Sequence, residues 1–292
     1  MITNLLRPAF VTAASLLLVS GLFAQTPAPK VSFPAASPAA TVKQRVGLTD
    51  IEVIYSRPSV KGREIFGKLV PFGQVWRTGA NSATKISFST DVKLNGTAIP
   101  AGHYELFTLP GRDEWTVIIH KDVSEWGAFS YDAKNDIARV TAKPVALSQP
   151  VESFTIGLDD LRDESATLNL LWDKTRVPVK IEVDLTSTLV PQIEAVMASD
   201  AAKKPYAQAA MFYLDHGLDL KKAAAWMDAA IAAQPDAFYL VYQQARILAQ
   251  SGDKAGAIAA AQKSIALANK AGGAAQDEYR RLNEALLATL RE

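Results

Sequence analysis

The chain of 292 residues has no cysteine. That excludes disulfides, cysteine-ligated zinc, a thiol nucleophile and a lipid-modified N-terminal cysteine. Histidine is almost as scarce: the three are His103, His120 and His216, two in strand-like segments and one in a helical repeat. Metal sites need clustered His, Cys, Asp or Glu, and this distribution implies none. His103 and His120 are expected to face one another across a hairpin, as a packed or surface pair. An excess of charge of one sign is missing too. Lys and Arg number 31 against 30 for Asp and Glu, with no compact basic run, so no field gathers nucleic acid. There is no G-x-S-x-G elbow and no His placed to serve a Ser, which removes a nucleophilic triad. No motif calls for a cofactor.

Long apolar runs are confined to the N-terminus. Arg7 followed by AFVTAASLLLVSGLF and then LFA-Q reads as a signal peptide over residues 1–24, too short for a spanning helix of roughly 20 residues. The expected address is export, periplasmic or secreted, with no membrane span once the signal is cut. Residues 25–43, opening TPAPKVSFPAASPAA, are rich in Pro, Ala and Ser, which resists regular structure and reads as a linker.

Over residues 44–186 the hydrophobic period is two. Val177, Val179, Ile181, Val183 and Leu185 alternate with polar residues and Pro178, as do Phe154, Ile156 and Leu158, and Leu168, Leu170 and Trp172. Asn95-Gly96 is a type I′ hairpin signal, because both central residues of that turn need positive φ. HYELFTLPGRDEWTVIIHK reads as a second hairpin, and ESFTIGLDDLRDESATLNLLW as a third with a charged tip. Short strands with frequent turn signals predict an antiparallel β-sandwich or a jelly-roll-like domain.

From 187 to 292 the period becomes 3.6 and alanine dominates. DLKKAAAWMDAAIAAQP and DKAGAIAAAQKSIALAN align at an offset of 34, Ala223 with Ala257 and Ile231 with Ile265. Small residues at tight crossings followed by larger apolar ones predict a tetratricopeptide-like, all-α set of helical hairpins. QDEYRRLNEALLATLRE reads as the capping helix. Two repeats are few for a free solenoid, so the helices are expected to pack on the sandwich. Such repeats commonly offer a protein-contact surface.

The chemistry-bearing residues gather in two places. SRPSVKGREIFGKLVPFGQVWRTGAN carries Arg57, Lys61, Arg63, Trp76, Arg77 and Asn81, with Thr78, among glycines 62, 67, 73 and 79. Long connections on rigid sandwiches often carry function, and Arg77 offers a planar fork to a carboxylate, phosphate or sugar hydroxyl. The same residues also suit a structural loop with Trp76 in the core, Arg77 paired internally and Asn81 capping a turn. The second place, SEWGAFSYDAKND, holds Glu125, Asp132 and Asp136 beside Trp126 and Tyr131. Paired carboxylates beside aromatic rings suit a glycosidase, and their separation would decide it.

The blocks SRPSVKGREIFGKLVPFGQVWRTGANSATKISF, LNGTAIPAGHYELFTLPGRDEWTVI and WGAFSYDAKNDIARV closely resemble a bacterial family of exported proteins, domain-of-unknown-function family twenty-nine eleven. The resemblance runs from about Val42 to Asp184. It departs at His120, where the family context WTVI-x-N-K leads one to expect Asn. It implies an exported setting and sometimes a trailing helical repeat, and it brings no activity. Through its motifs it marks Arg57, Lys61, Arg63, Trp76, Arg77, Thr78, Asn81, Trp126, Tyr131 and Asp132 as candidates. The expected function is non-enzymatic binding of a small polar, glycan-like or cell-envelope ligand. The alternatives are a carboxylate-dependent hydrolase of envelope or imported carbohydrate, and a purely structural module.

Overall fold

The structure is a computed structural model that describes residues 33–121 and 126–291. The expected signal peptide, the first part of the linker and Glu125 lie outside the described residues.

Ten strands come first: β1 Ala39–Val46, β2 Thr49–Ser56, β3 Thr84–Phe88, β4 Val92–Leu94, β5 Thr97–Ile99, β6 Gly102–Leu109, β7 Trp115–Lys121, β8 Asp136–Ala142, β9 Val145–Arg162 and β10 Ser165–Val183. They form two antiparallel sheets, ordered β1-β2-β3-β6-β7-β8 and β5-β4-β10-β9. The period of two puts one face of each strand inward. Ile51, Val53, Ile86, Leu106, Val117 and Ile119 from the larger sheet share a core with Leu168, Leu170, Trp172, Val177 and Val179 from the smaller. This is a sandwich, and its sheets keep open edges instead of closing into a barrel. Asn95 and Gly96 both take positive φ, 44° and 84°, as the tight β4–β5 turn demands.

Two departures from the sequence reading have a clear cause. The runs 168–172 and 177–183, which look like separate strands, are one strand. Inward residues are even-numbered before Asp173 and odd-numbered after it, because the β9–β10 register shifts on both sides of Asp173, whose φ is 50°. Such a bulge resets the alternation without ending the strand. At the other end, β1 begins within the stretch expected to be linker, because Ala40 and Val42 pack on the sandwich core while the strand pairs with β2.

Six helices follow: α1 Leu185–Ala198, α2 Tyr206–Asp215, α3 Leu220–Ala233, α4 Phe238–Gln250, α5 Lys254–Ala271 and α6 Ala274–Arg291. They pack in sequence as helical hairpins around a second core. The equivalent alanines Ala223 and Ala257 are both fully buried, which lets neighbouring helices approach closely. Asp219 and Asp253 occupy equivalent N-caps and accept backbone N–H groups of the first turns of α3 and α5. The helices are tied to the sandwich. Leu185 enters its core with Leu189 and Phe212 packed behind, and Glu164 Oε1 accepts the Leu185 N–H at 3.0 Å. Among the described residues no helix is long and apolar enough to cross a membrane.

The hinge from β10 into α1 generates a prediction. Asp184 caps α1, and hydrogen bonds from the Ser187 backbone N–H and then its side chain hold the carboxyl below its ordinary range. The ionised form is favoured in the folded chain. Its contribution is therefore full above the usual carboxylate value near 4 and disappears as pH falls through the lower folded value. Asp184→Ala is expected to cost about 1 kcal/mol in urea unfolding at neutral pH, with the difference shrinking in acid. A pH-independent difference would contradict this.

Candidate functional site

The connection between β2 and β3 is built as a framework. Arg57 donates from Nε to the Phe154 carbonyl at 3.0 Å and from Nη2 to Thr155 Oγ1 at 2.6 Å. Arg63 donates to the carbonyls of Ser59 and Val60. Both guanidiniums thus help hold the loop, Arg57 to β9 and Arg63 to the loop itself, through Nε and Nη2. Lys61 binds through its backbone, its N–H donating to Glu152 Oε1 at 2.9 Å.

Trp76 lies in the sandwich core. Its ring stacks on Trp172, centroids 5.7 Å apart and planes 15° apart, and meets Phe154, Phe66 and Trp115 edge-on. The indole N–H donates to the Gly79 carbonyl at 3.1 Å. Its backbone exchanges two hydrogen bonds with Thr108 of β6, 2.7 and 2.9 Å. Thr78 is also buried and reaches Thr108 Oγ1 at 3.2 Å. Asn81 sits at φ 60° and donates to the Ser37 carbonyl and Ser56 Oγ. Trp76 and Thr78 present no face to a ligand in this arrangement, and Asn81 fastens a turn.

The outer face of the larger sheet carries a polar row. Lys85 is opposite Glu105, Glu105 opposite His120, and His120 opposite Asp136. A register shift beside His120 leaves Ile137 as an extra residue in β8 and brings Asp136 into the row. His103 does not face His120 as expected, because the β6–β7 register sets Glu105 opposite His120, while on β3 His103 is opposite Ser87. Glu105 and His120 are fully buried, each at 0% exposure, with His120 Nδ1 3.8 Å from Glu105 Oε2. The ring nitrogens of His120 also lie 2.9 Å from the Lys121 carbonyl and 3.2 Å from that of Asp132.

The segment from Trp126 to Asn135 covers this row. Ala128 and Tyr131 pack on a small cluster of Ala83, Phe107 and Ile118. The Tyr131 hydroxyl donates to Asp136 at 2.7 Å and accepts from Arg139 Nη2 at 2.8 Å, while Arg139 Nε donates to Asp136 at 2.7 Å. Burial, followed by the hydrogen bond to Asp136, pushes the Tyr131 phenol up to about 12. Asp132 caps the short 3-10 turn Ala133–Asn135 by accepting the Lys134 N–H at 3.0 Å. Asp132 and Asp136 are thus taken up locally, one as a cap and one in a Tyr–Arg network, and the third carboxylate of the hydrolase reading, Glu125, lies outside the described residues. Among the described residues no three His, Cys, Asp or Glu gather as a metal site would require.

Arg77 stands apart. Its flanking residues Trp76 and Thr78 are buried, while its own side chain is half-buried and reaches Gly127. Gly127 has φ 87°, and a Cβ there would lie 2.8 Å from Arg77 Nη1 and 2.9 Å from the Phe129 ring. Guanidinium and ring therefore converge on the one residue that leaves them room. Phe129 and Trp126 are 81% and 67% exposed, their rings 6.1 Å apart and within 20° of parallel. Arg77 Nε is buried and finds no hydrogen-bond acceptor among the described residues, a defect costing about 1–3 kcal/mol. By contrast, a recess of about 500 Å³ on β1–β3 is lined by Lys43, Arg45, Asp50 and Glu52, whose charges pair with one another.

Sequence reasoning missed Glu105. In HYELFTLP it alternates as an outward strand residue does, yet in the folded chain it is fully buried on that outer face.

A two-sheet sandwich with one covered polar face, continued by helical hairpins, defines a two-domain β+α protein whose fold dictates no chemistry. Residues 37–181 match the family described as "Protein of unknown function (DUF2911)", and this part of the chain belongs to it. No curated protein and no solved structure gives a significant match.

The Tyr131 network is testable. Because ionisation is harder in the folded chain, its contribution is full below the ordinary phenol value near 10 and is lost as pH climbs towards about 12. Tyr131→Phe is expected to remove a late-ionising component from the phenolate absorbance titration of the folded protein. A titration curve unchanged at its alkaline end would contradict the network.

Proposed function

We propose that the DUF2911 region is the ligand-binding domain of an exported protein, and that Arg77 is the anchor of its site. The observation that carries this reading is the half-exposed Arg77 guanidinium, which is not drawn into the loop's own hydrogen bonds and whose buried Nε–H has no acceptor among the described residues. Arg57 and Arg63, by contrast, each place Nε and Nη2 on backbone or hydroxyl acceptors. A planar donor fork left half-exposed beside bare aromatic rings suits recognition of an oxyanion or a polar, glycan-like molecule. The export address rests on residues 1–24, with 25–43 as tether, 44–186 as the binding domain and 187–292 as the helical part. The VWRTGAN block is read as the part of the family signature that builds the site: its Trp secures the loop, its Arg meets the ligand, and its Thr and Asn hold the turn. The helical hairpins are read as tetratricopeptide-type repeats that contribute a protein-contact surface.

A thermal-shift screen of the full chain against sugars, peptidoglycan fragments and phosphorylated metabolites tests this. A ligand at a hundredfold excess over its Kd adds about 2.7 kcal/mol, which raises Tm by roughly 5–10 °C for a domain of this size. Arg77→Ala is expected to abolish the shift while leaving the circular dichroism spectrum unchanged. No shift from any ligand class would overturn the binding reading and favour a structural module.

A further inference from the structure

The surroundings of Arg77 narrow the ligand's chemistry, and the inference rests on the binding reading above. We propose that the site takes a sugar bearing a single carboxylate, with the carboxylate on Arg77 and the ring laid against the Trp126–Phe129 surface.

Charge is the first constraint. The cation Arg139, on the same face of the sheet, is already committed to Asp136 and Tyr131. The accessible outer N–H groups of one half-exposed guanidinium match one planar carboxylate, which accepts two parallel N–H bonds. Among the described residues, the other guanidinium on this face, Arg139, already faces Asp136 and Tyr131, which favours a singly charged ligand over a doubly charged phosphate ester.

Shape is the second constraint. Trp126 and Phe129 are among the most exposed large apolar side chains described, and they lie nearly parallel. The surface is open, not a cleft that encloses a ligand. A wholly apolar ligand gains most from an enclosed pocket. A pyranose needs only one flat side covered, because its axial C–H groups form an apolar face while its hydroxyls stay in water.

Proximity is the third. The positions of Arg77 Nη1 and the Phe129 ring, each within 3 Å of the missing Gly127 Cβ, place the anion-binding and stacking elements side by side. One small molecule spans both.

The test uses the full chain and follows acrylamide quenching of tryptophan fluorescence, which reports chiefly on Trp126. Trp76, Trp115 and Trp172 are buried, and Trp226 is half-buried. Glucuronate is expected to protect the fluorescence saturably, with glucose and acetate each binding at least about tenfold more weakly. Arg77→Lys keeps the charge but loses the fork, and is expected to bring glucuronate down to the level of glucose. Trp126→Leu is expected to bring glucuronate binding, read by calorimetry, down to the level of acetate. Equal binding of glucuronate and glucose, equal binding of glucuronate and acetate, or no glucuronate binding would overturn the proposal. If inorganic phosphate or another anion binds and Arg77→Ala abolishes it, the acidic sugar is wrong and the Arg77 site stands. If Arg77→Ala changes no ligand's binding, both fall.

Discussion

Trp76 packs flat on Trp172, and the long β2–β3 connection depends on that contact. The connection has little regular structure, so it needs a buried anchor to hold one conformation against chain entropy. The anchor sits among Phe66, Trp115, Phe154 and Trp172, and such aromatic pairs contribute about 0.5–1.5 kcal/mol each beyond their burial. The two backbone bonds to Thr108 then lock Trp76 to β6. With Trp76 and Thr78 both committed to the interior, Val75 and Arg77 of the VWRTGAN block reach the covered outer face, Val75 packing on the Phe107–Ile118 cluster and Arg77 meeting Gly127. The position of the cation is a consequence of burying its neighbour.

The covered outer face obeys a second constraint. A carboxylate and an imidazole with no exposure are costly unless polar partners surround them. Here Glu105 and His120 are neighbours across the β6–β7 pair, and His120 also meets two backbone carbonyls. One of those carbonyls belongs to Asp132, so the polar row also fastens the segment that carries Trp126 and Phe129. Tyr131, Asp136 and Arg139 fasten it again at the edge strand. A rigidly held cover beneath an exposed aromatic pair is the arrangement that binding without large rearrangement requires.

Much of this was legible in the sequence, and the gaps have physical reasons. The alternation of Phe154 and Ile156, or of Val177 and Val179, follows directly from strand geometry, and the 34-residue offset of Ala223 and Ala257 from helix packing. The single β10 strand was hidden because the bulge at Asp173 flips the parity of the inward residues, which a local pattern cannot distinguish from a strand end. The pairing of His120 with Glu105 instead of His103 depends on a hairpin register that the Pro110-Gly111 turn alone does not specify. The roles of Trp76 and Arg77 were both visible as options. Choosing between them needed Trp172 and Phe154, 96 and 78 residues from Trp76, and local reading has no access to such contacts. Likewise, nothing in SEWGAFSYDAKND announces that Asp132 and Asp136 are taken up by a cap and a Tyr–Arg network.

The central claim is that burial of Trp76 holds the Arg77 guanidinium half-exposed, its Nε–H without an acceptor among the described residues, so that its outer N–H groups can receive an anion. Side-chain amide NMR measures this directly, with the Arg77 Nε–H resonance identified by its loss in Arg77→Lys. The account predicts that this resonance moves saturably as a simple carboxylate is added, while those of Arg57 and Arg63 stay fixed on their existing acceptors. An Arg77 resonance that is already that of a bonded donor, and does not move with any anion, would contradict it.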